Sequence, residues 1–402
     1  MKLLIAVAII IVISLVGSRI TYQKLPLGFK NILFTGTEYI LLGIILGQNG
    51  LKILDAQSLK SLEPFLIFGL CLIGFLYGLQ FEYRKLKSLP RYYFTISAVQ
   101  ASFTFILVSI CSYILFTILF NFPQNTTLMI SITLGSSACC TAQSALGIVS
   151  KNYSIQNRKL LYLLRYISSV DGLFALGFFT IALSMIPARG GEKFQITLTL
   201  KWLFLSIVIG ALSSLILIAL SRVKFSHQEY VVFVLGTILF CSGLAIKIHH
   251  SPLVAGLVCG IITANFCRHR NRAMAIVVHS EKTIYIIFLI ILGAGWTIRI
   301  DNVLIITCVY FLIRIAGKYL SSLSAVRLFK IDREIPSTFG LGLISEGGLA
   351  VAIIISFKIL YPSLSHHLVT IVLLSMILNE FISPTLILSQ IGGTKRRLLD
   401  ES

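Results

Sequence analysis

The chain has 402 residues, of which 56% are hydrophobic and only 12% are charged. Soluble domains are about half apolar and about a quarter charged, so this composition excludes a soluble protein and predicts a membrane protein. The net charge of +19 does not indicate nucleic-acid binding, because the basic residues lie in short connectors between apolar runs rather than in one stripe. We therefore expect no nucleic-acid partner.

Division of the chain at its charged and Pro/Gly-rich segments gives about 13 apolar runs, each near the roughly 20 residues that a helix needs to cross a bilayer. Their predicted limits are 2–18, 32–48, 62–81, 92–120, 126–150, 157–186, 200–220, 228–247, 251–266, 282–298, 302–325, 335–358 and 365–389. The prediction is an all-α membrane protein with no soluble domain. A cytosolic regulatory domain is expected only as a separate subunit.

The first run, 2–18, also has the short apolar core of a signal peptide, but the distribution of basic residues favours a retained helix. With this number of helices, most Lys and Arg residues fall on one side of the membrane, for example in the connectors 84–87 and 268–272. Basic loops stay in the cytoplasm, so we predict a cytoplasmic C-terminus and an N-terminus outside. The expected location is the inner, or plasma, membrane.

The cysteines and histidines do not indicate a cofactor. The eight cysteines lie mostly inside apolar runs without CxxC spacing, which is typical of reduced packing residues. The seven histidines lack acidic or Cys neighbours at metal-ligand spacing. We expect no cofactor.

The run 126–150 carries small and hydroxylic residues at its centre, in the sequence LGSSACCTAQSAL. Such residues serve close helix packing, or they mark a break in the helix whose freed carbonyls and hydroxyls line a cavity. Both interpretations are open at this point. Under the second, the residues that line the cavity are Ser136, Ser137, Thr141 and Gln143.

Asp171 is the deepest acidic residue of the N-terminal half, about fourteen residues into the run 157–186 and therefore close to the middle of the bilayer. A charged side chain at that depth costs roughly 2.5 to 3.5 kcal/mol, so it is a candidate functional residue. The alternative is a structural Asp that is hydrogen-bonded to a neighbouring helix. A buried carboxyl group that is neutralised by either a proton or a cation provides the minimal chemistry of an antiporter.

Two basic residues lie in the run 302–325 of the second half. Arg314 and Lys318 are four residues apart and therefore on one face of the helix. A buried Lys318 close to Asp171 would neutralise the carboxylate when no cation is bound. Alternatively, Lys318 extends to the membrane interface.

The next run, 335–358, resembles the first interrupted run. Its sequence GLGLISEGGLA places glycines on both sides of Ser345 and Glu346. Interrupted helices in matching positions of two halves predict inverted repeats with a binding site between them.

Four further stretches complete the pattern: TEYILLGIILGQNGLKIL, FLIFGLCLIGFLYGLQFEYRKLK, HHSPLVAGLVCGIITANFC followed by IYIIFLIILGAGWTI, and LLSMILNEFISPTLI. In this order, with Asp171 in the sixth helix and GLGLISEGGLAVAI in the twelfth, the chain resembles the monovalent cation/proton antiporter superfamily. The resemblance is to the branch that contains sodium/proton antiporters and potassium-efflux antiporters.

The resemblance implies a particular division of the chain. A core of two inverted three-helix bundles, 92–187 and 302–390, is expected to move against a scaffold formed by 1–91 and 188–301, with a short cytoplasmic tail at 391–402. Two discontinuous helices are expected to cross beside the ion site. The resemblance also implies a homodimer surrounded by membrane lipid.

The resemblance also implies roles for individual residues. Asp171 matches the ion-binding carboxylate, Lys318 or Arg314 matches the basic residue of the partner helix, and Glu346 is expected to complete the charge balance. Relatives that move sodium electrogenically have a second Asp at the position of Val170, and others have Asn or Gln there. This difference predicts one carboxylate and one-for-one exchange.

The predicted function is exchange of Na⁺ or K⁺ for protons by alternating access, without enzymatic activity. An intramembrane aspartyl protease needs two aspartates, and this chain has one at depth. A sodium-coupled organic-anion symporter of similar inverted-repeat fold is the main alternative, which uptake of an organic solute would distinguish. A sensor or channel that has lost coupling is a further alternative.

Overall fold

The computed structural model describes residues 36–48, 50–88, 91–120, 122–184, 196–223, 226–296, 303–329 and 334–395. The described chain is nearly all helical, which confirms the predicted fold class. Its β-structure, within these ranges, is one short antiparallel pair of β1 (Tyr153–Ile155) with β2 (Gly393–Lys395). The predicted first span, 2–18, lies outside the described residues.

The described residues contain 15 α-helices. In chain order they are α1 (Thr37–Leu46), α2 (Ala56–Ser61), α3 (Glu63–Leu79), α4 (Tyr83–Ser88), α5 (Arg91–Leu119), α6 (Gln124–Cys139), α7 (Gln143–Asn152), α8 (Arg158–Ser184), α9 (Ile196–Leu220), α10 (His227–Lys247), α11 (Pro252–Phe266), α12 (Arg270–Ala294), α13 (Val303–Phe329), α14 (Gly348–Leu360) and α15 (Ser365–Ile391). Seven of them are long and apolar enough to cross a membrane: α5, α8, α9, α10, α12, α13 and α15.

The remaining predicted runs correspond to shorter helices or to helix pairs. The runs 32–48, 62–81 and 251–266 correspond to α1, α3 and α11. The run 126–150 is divided into α6 and α7, and 335–358 is divided into a 3₁₀ helix and α14. The predicted start of the tenth span at residue 282 is wrong, since α12 begins at Arg270. Arg and Lys limit how deeply a helix enters the membrane, but they favour helix formation and do not end it.

Local sequence explains several helix ends. Ser226 and Glu229 form a reciprocal capping box at the start of α10, in which the Glu229 carboxylate accepts from the Ser226 backbone N–H at 2.8 Å. Ser251 caps α11, and Pro252 occupies its first turn. At the other end of the chain, α15 stops at Gly392, which adopts the left-handed conformation with φ of 64°.

Glycines allow α3 and α11 to approach each other closely. A Cβ atom on Gly74 or Gly78 would collide with the backbone of α11. In the same way, a Cβ atom on Gly256 or Gly260 would collide with the backbone of α3. Gly43 of α1 contacts the backbone of α12 in a similar manner. Small residues at such contacts are the usual means by which membrane helices pack, because lipid provides no hydrophobic drive between them.

The helices of the two predicted repeats pack together around the two breaks. α5 packs against α6, α8 and α13, while α15 packs against α13 and α14. α14 also contacts α6, so the broken helices of the two halves meet. α8, which carries Asp171, contacts α6, and α13, which carries Lys318, contacts the 3₁₀ helix of the second break. Their assignment to a separately moving domain stays a prediction.

Candidate functional site

The first break separates α6 from α7. α6 ends at Cys139, and the chain is extended at Cys140 and Ala142 before α7 begins at Gln143. The last carbonyls of α6 therefore have no partner within a continuing helix. This is the discontinuity that the cluster of small and hydroxylic residues predicted.

The second break precedes α14. Residues Phe339–Leu343 form a 3₁₀ helix, and the chain then lacks regular secondary structure up to Gly347, where the backbone is extended. The sequence predicted a break here, but not that the segment before it is a 3₁₀ helix. Gly340 explains part of this geometry, since it packs directly against the backbone carbonyl of Lys318, where no side chain would fit.

The non-helical segments of the two breaks contact each other. The Ala142 backbone N–H donates to the Ser345 carbonyl at 2.9 Å, and the Thr141 hydroxyl donates to the Leu343 carbonyl at 3.3 Å. Gly347 lies against Ala142, so the segments touch without intervening side chains. The predicted residues Thr141 and Ser345 thus lie at the crossing itself.

Asp171 and Lys318 face each other beside this crossing. Asp171 is 1% exposed and Lys318 is 0% exposed. The Lys318 ammonium lies 3.8 Å from Asp171 Oδ2, while it donates to the Cys139 carbonyl at 2.6 Å and to the Thr141 hydroxyl at 3.1 Å. Within the described part of the chain, Asp171 Oδ2 accepts no hydrogen bond. The carboxylate is thus close to a cation but loosely held by it.

Arg314 lies one helical turn away and pairs with Glu346. Its Nε is 3.0 Å from Glu346 Oε1, and both side chains are fully buried. The guanidinium also donates to the carbonyls of Ala138, at 3.2 Å, and of Cys140, at 2.9 Å, and to the carbonyl of Ile344. Arg314 therefore contacts the freed carbonyls of both broken helices.

These two basic side chains have a common physical effect. The C-terminal end of a helix presents unpaired carbonyls and a partial negative charge, which cations stabilise. No water is present at bilayer depth to satisfy such carbonyls, and each unsatisfied one costs several kcal/mol. Arg314 and Lys318 provide the missing donors for the end of α6. The break and the two cations therefore stabilise each other.

The predicted serines of α6 are bonded within their own helix. The Ser136 hydroxyl donates to the Ile132 carbonyl at 2.7 Å, and the Ser137 hydroxyl donates to the Leu134 carbonyl at 2.9 Å. Ser137 also lies 3.2 Å from the Tyr310 hydroxyl. Both serines are buried near the site, but their hydroxyls contact backbone and Tyr310 rather than Asp171.

The predicted Gln143 lies on another side of the site. Its Nε2 is 3.3 Å from Oε1 of Gln80, the residue that follows α3, 3.3 Å from the Ser168 carbonyl and 3.2 Å from the Ser169 hydroxyl. Ser168 and Ser169 precede Asp171 on α8. Gln143 therefore connects three different helices close to the buried carboxylate.

Two site residues were not identified from the sequence. The Tyr310 hydroxyl donates to Glu346 Oε1 at 3.4 Å, and Asn379 Oδ1 accepts from Arg314 at 3.5 Å. The sequence contains a feature that could have identified each of these residues. Tyr310 lies one turn before Arg314 on the same helical face, and Asn379 is an amide inside the apolar run 365–389.

The site offers oxygen atoms and charge in a dry interior. The Asp171 carboxylate and the Thr141 hydroxyl are close together, and Thr141 also contacts Asp171 through its backbone N–H. Oxygen ligands of this kind suit hard cations. Among the described residues, no three His, Cys, Asp or Glu side chains come together to hold a metal ion. The arrangement can hold one monovalent charge, either a proton or a cation.

Comparison with known proteins shows the family and the fold of the chain. The sequence model of the family described as sodium/hydrogen exchanger, transmembrane, matches residues 3–388. The fold is similar to the structure of the sodium proton antiporter MjNhaP1 from Methanocaldococcus jannaschii at pH 8, with a TM-score of 0.67 and 16% sequence identity. That likeness covers 98% of this chain and 100% of the antiporter chain. None of the curated proteins compared with the chain matches it.

Proposed function

The chain belongs to the transmembrane sodium/hydrogen exchanger family, a family of cation/proton antiporters, and from this premise we propose that its ions exchange at Asp171. The observation that carries the proposal is the position of Asp171 Oδ2. It is buried at the crossing, 3.8 Å from the Lys318 ammonium and without a hydrogen-bond donor in the described residues. An arriving cation or proton can therefore neutralise it without displacing a tight partner.

Coupling follows from competition for this one carboxylate. A cation at Asp171 excludes a proton, and a proton excludes the cation, because only one negative charge is available. Lys318 balances the carboxylate when neither is bound. When a cation arrives, the ammonium can withdraw toward the Cys139 carbonyl and the Thr141 hydroxyl, which it already contacts. The negative charge of Asp171 thus has a positive partner in every state: Lys318, a proton or a cation.

We propose that transport proceeds by alternating access. An Asp171 carboxylate whose only counter-charge is the Lys318 ammonium at 3.8 Å is costly to move through an apolar barrier, whereas one that has bound a proton or a cation is less so. The core, 92–187 and 302–390, would then move against the scaffold, 1–91 and 188–301, only when Asp171 is loaded. The division into core and scaffold supports such a movement because the crossing and both basic residues belong to the core.

We also propose that one cation exchanges for one proton. Glu346 is the second buried carboxylate of the site, but it is paired with Arg314 at 3.0 Å and accepts from Tyr310. Val170, next to Asp171, is apolar and buried. A single exchangeable carboxylate therefore remains.

We also propose which cations are transported, the oligomeric state of the protein and its orientation in the membrane. The cation is Na⁺ or K⁺, the protein is a homodimer in lipid of the inner membrane, and its C-terminus is cytoplasmic with the N-terminus outside. A regulatory subunit, if present in the cell, would be a separate cytosolic chain. The charge distribution of the connectors supports this orientation.

The proposal is tested by proton flux in proteoliposomes under an imposed Na⁺ or K⁺ gradient. We expect the wild type to exchange and Asp171→Asn to lose cation-dependent proton flux. The side-chain amide carries no negative charge that a proton or a cation could neutralise. Glu334→Gln is the matched control, since Glu334 is exposed and its carboxylate pairs with the exposed Lys159. Near-normal exchange by Asp171→Asn would refute the assignment. Uptake of an organic anion in place of proton flux would support the symporter instead.

A further inference from the structure

A hydrogen bond joins the proposed core to the proposed scaffold immediately beside the ion site. The side-chain amide of Gln143, at the start of α7, lies 3.3 Å from Gln80 Oε1 at the end of α3. α3 belongs to the scaffold range 1–91, and α7 belongs to the core range 92–187. We propose that the Gln80–Gln143 pair is a latch, which opens each time the core moves and so sets the rate of exchange.

The bond is suited to repeated opening. Gln143 Nε2 also lies 3.3 Å from the Ser168 carbonyl and 3.2 Å from the Ser169 hydroxyl, both on α8 of the core. When the contact with Gln80 breaks, the Gln143 amide keeps these two acceptors. A buried polar group that loses all its partners is costly, whereas one that keeps a partner is not. The latch can therefore open without leaving the Gln143 amide unpaired.

Within the described residues, other hydrogen bonds also join the scaffold range to the core range, including Ser251 with Ser356 at 2.7 Å and Trp296 with Thr370 at 3.0 Å. Gly172, next to Asp171, presents no side chain to α3, and the ring of Tyr77 packs over it. An aromatic ring on a glycine surface has no interlocking side chains to disengage. The amide pair is the directional contact next to this smooth surface.

The latch is connected to the ion-binding residues on both sides. Gln143 is two residues from Thr141, which contacts both Asp171 and the Lys318 ammonium. Ser168 is three residues before Asp171 on α8. A change of occupant at Asp171 that moves Thr141 therefore also moves Gln143 relative to Gln80. The latch rests on the proposed function, because it acts only if the core moves against the scaffold.

The first test is a double-mutant cycle of Gln80→Leu, Gln143→Leu and the double variant, measured as proton flux driven by Na⁺ and by K⁺ in proteoliposomes. We expect each single change to alter the maximal rate of exchange about two- to ten-fold, the range for one hydrogen bond between uncharged groups. The double variant should exchange at the same rate as the single variants, because all three lack the same bond. A conformational step is common to both cations, so the ratio of the two rates should be unchanged. Gln124→Leu, an exposed glutamine at the start of α6, is the matched control.

The second test fixes the latch. Gln80→Cys with Gln143→Cys is linked by a bifunctional methanethiosulfonate reagent and then reduced with dithiothreitol. We expect linkage to stop exchange and reduction to restore it, whereas each single Cys variant should stay active under the same treatment. Full activity of the linked protein, additive effects in the cycle, or an altered ratio of Na⁺ to K⁺ rates would overturn the latch.

The two proposals fail in different ways. Absence of cation-dependent proton flux in the wild type, or its retention in Asp171→Asn, contradicts the proposed function. If the wild type exchanges and Asp171→Asn does not, the proposed function stands. Failure of either latch test then contradicts the latch alone.

Discussion

At the scale of single residues, the site is organised by two buried basic side chains with different partners. Arg314 contacts Glu346 and three backbone carbonyls, whereas Lys318 contacts one carbonyl, one hydroxyl and, more distantly, Asp171. The planar guanidinium can serve several acceptors in a fixed geometry, while the ammonium is a compact charge on a flexible stem. We infer that Arg314 holds the crossing together and that Lys318 is the side chain free to shift during exchange.

This inference predicts unequal effects on stability. Arg314→Leu leaves the Glu346 carboxylate without its cationic partner and removes the side chain that donates to three backbone carbonyls, so we expect a loss of about 3–5 kcal/mol, the range for removal of one partner from a buried pair. Glu346→Gln should cost less, because Arg314 keeps its backbone acceptors. The measurement is thermal unfolding of the purified protein in detergent. Equal destabilisation by the two variants would contradict the inference.

Arg314→Lys is the control for charge in that comparison. The lysine keeps the positive charge but has fewer donors and no planar fork. We expect its stability to lie between those of the wild type and Arg314→Leu.

At the scale of elements, the two breaks depend on close backbone contact. The 3₁₀ helix before α14 packs on α13 through Gly340, whose α-carbon faces the Lys318 carbonyl. This contact sets the position of α13 relative to the crossing, and hence the distance between Lys318 and Asp171. A side chain at residue 340 would have to push the two elements apart.

Gly340→Ala should therefore impair both folding and exchange. Overpacking in a well-packed core typically costs about 1–3 kcal/mol, and displacement of Lys318 should lower the exchange rate as well. Gly177→Ala on α8 is the matched control, because nothing lies within 4 Å of the position of its added Cβ. That change should be neutral or stabilising, since Ala favours a helix over Gly. Unfolding temperature and proton flux of both variants measure the difference, and a Gly340→Ala protein that behaves like Gly177→Ala would refute the argument.

At the scale of the whole molecule, the charges of the site determine how transport responds to voltage. Glu346 and Arg314 are paired, so in the proposed cycle the core would carry Asp171, Lys318 and one proton or cation. Because each occupant bears one positive charge, the two directions of movement carry the same net charge. A complete cycle then transfers no net charge across the membrane.

The expected outcome is exchange whose driving force does not depend on membrane potential. One unbalanced charge would be driven by about 2.3 kcal/mol per 100 mV, which a flux assay detects. The measurement is the Na⁺ gradient at which net proton flux is zero, in proteoliposomes with and without an imposed voltage. A balance point that shifts with voltage would show unequal stoichiometry.

The sequence by itself determined the all-α membrane fold, the two breaks, and Asp171, Arg314, Lys318 and Glu346 as the side chains of interest. Hydropathy, small-residue clusters and the cost of buried charge are local properties of the chain, so they can be recognised from the sequence alone. Only the tertiary structure decided which basic residue faces which acid. Arg314 and Lys318 share one helical face, and the depth at which α13 meets the crossing places Lys318 by Asp171 and Arg314 by Glu346. The same holds for Gln143, whose partner Gln80 is distant in sequence and comes close only through helix packing.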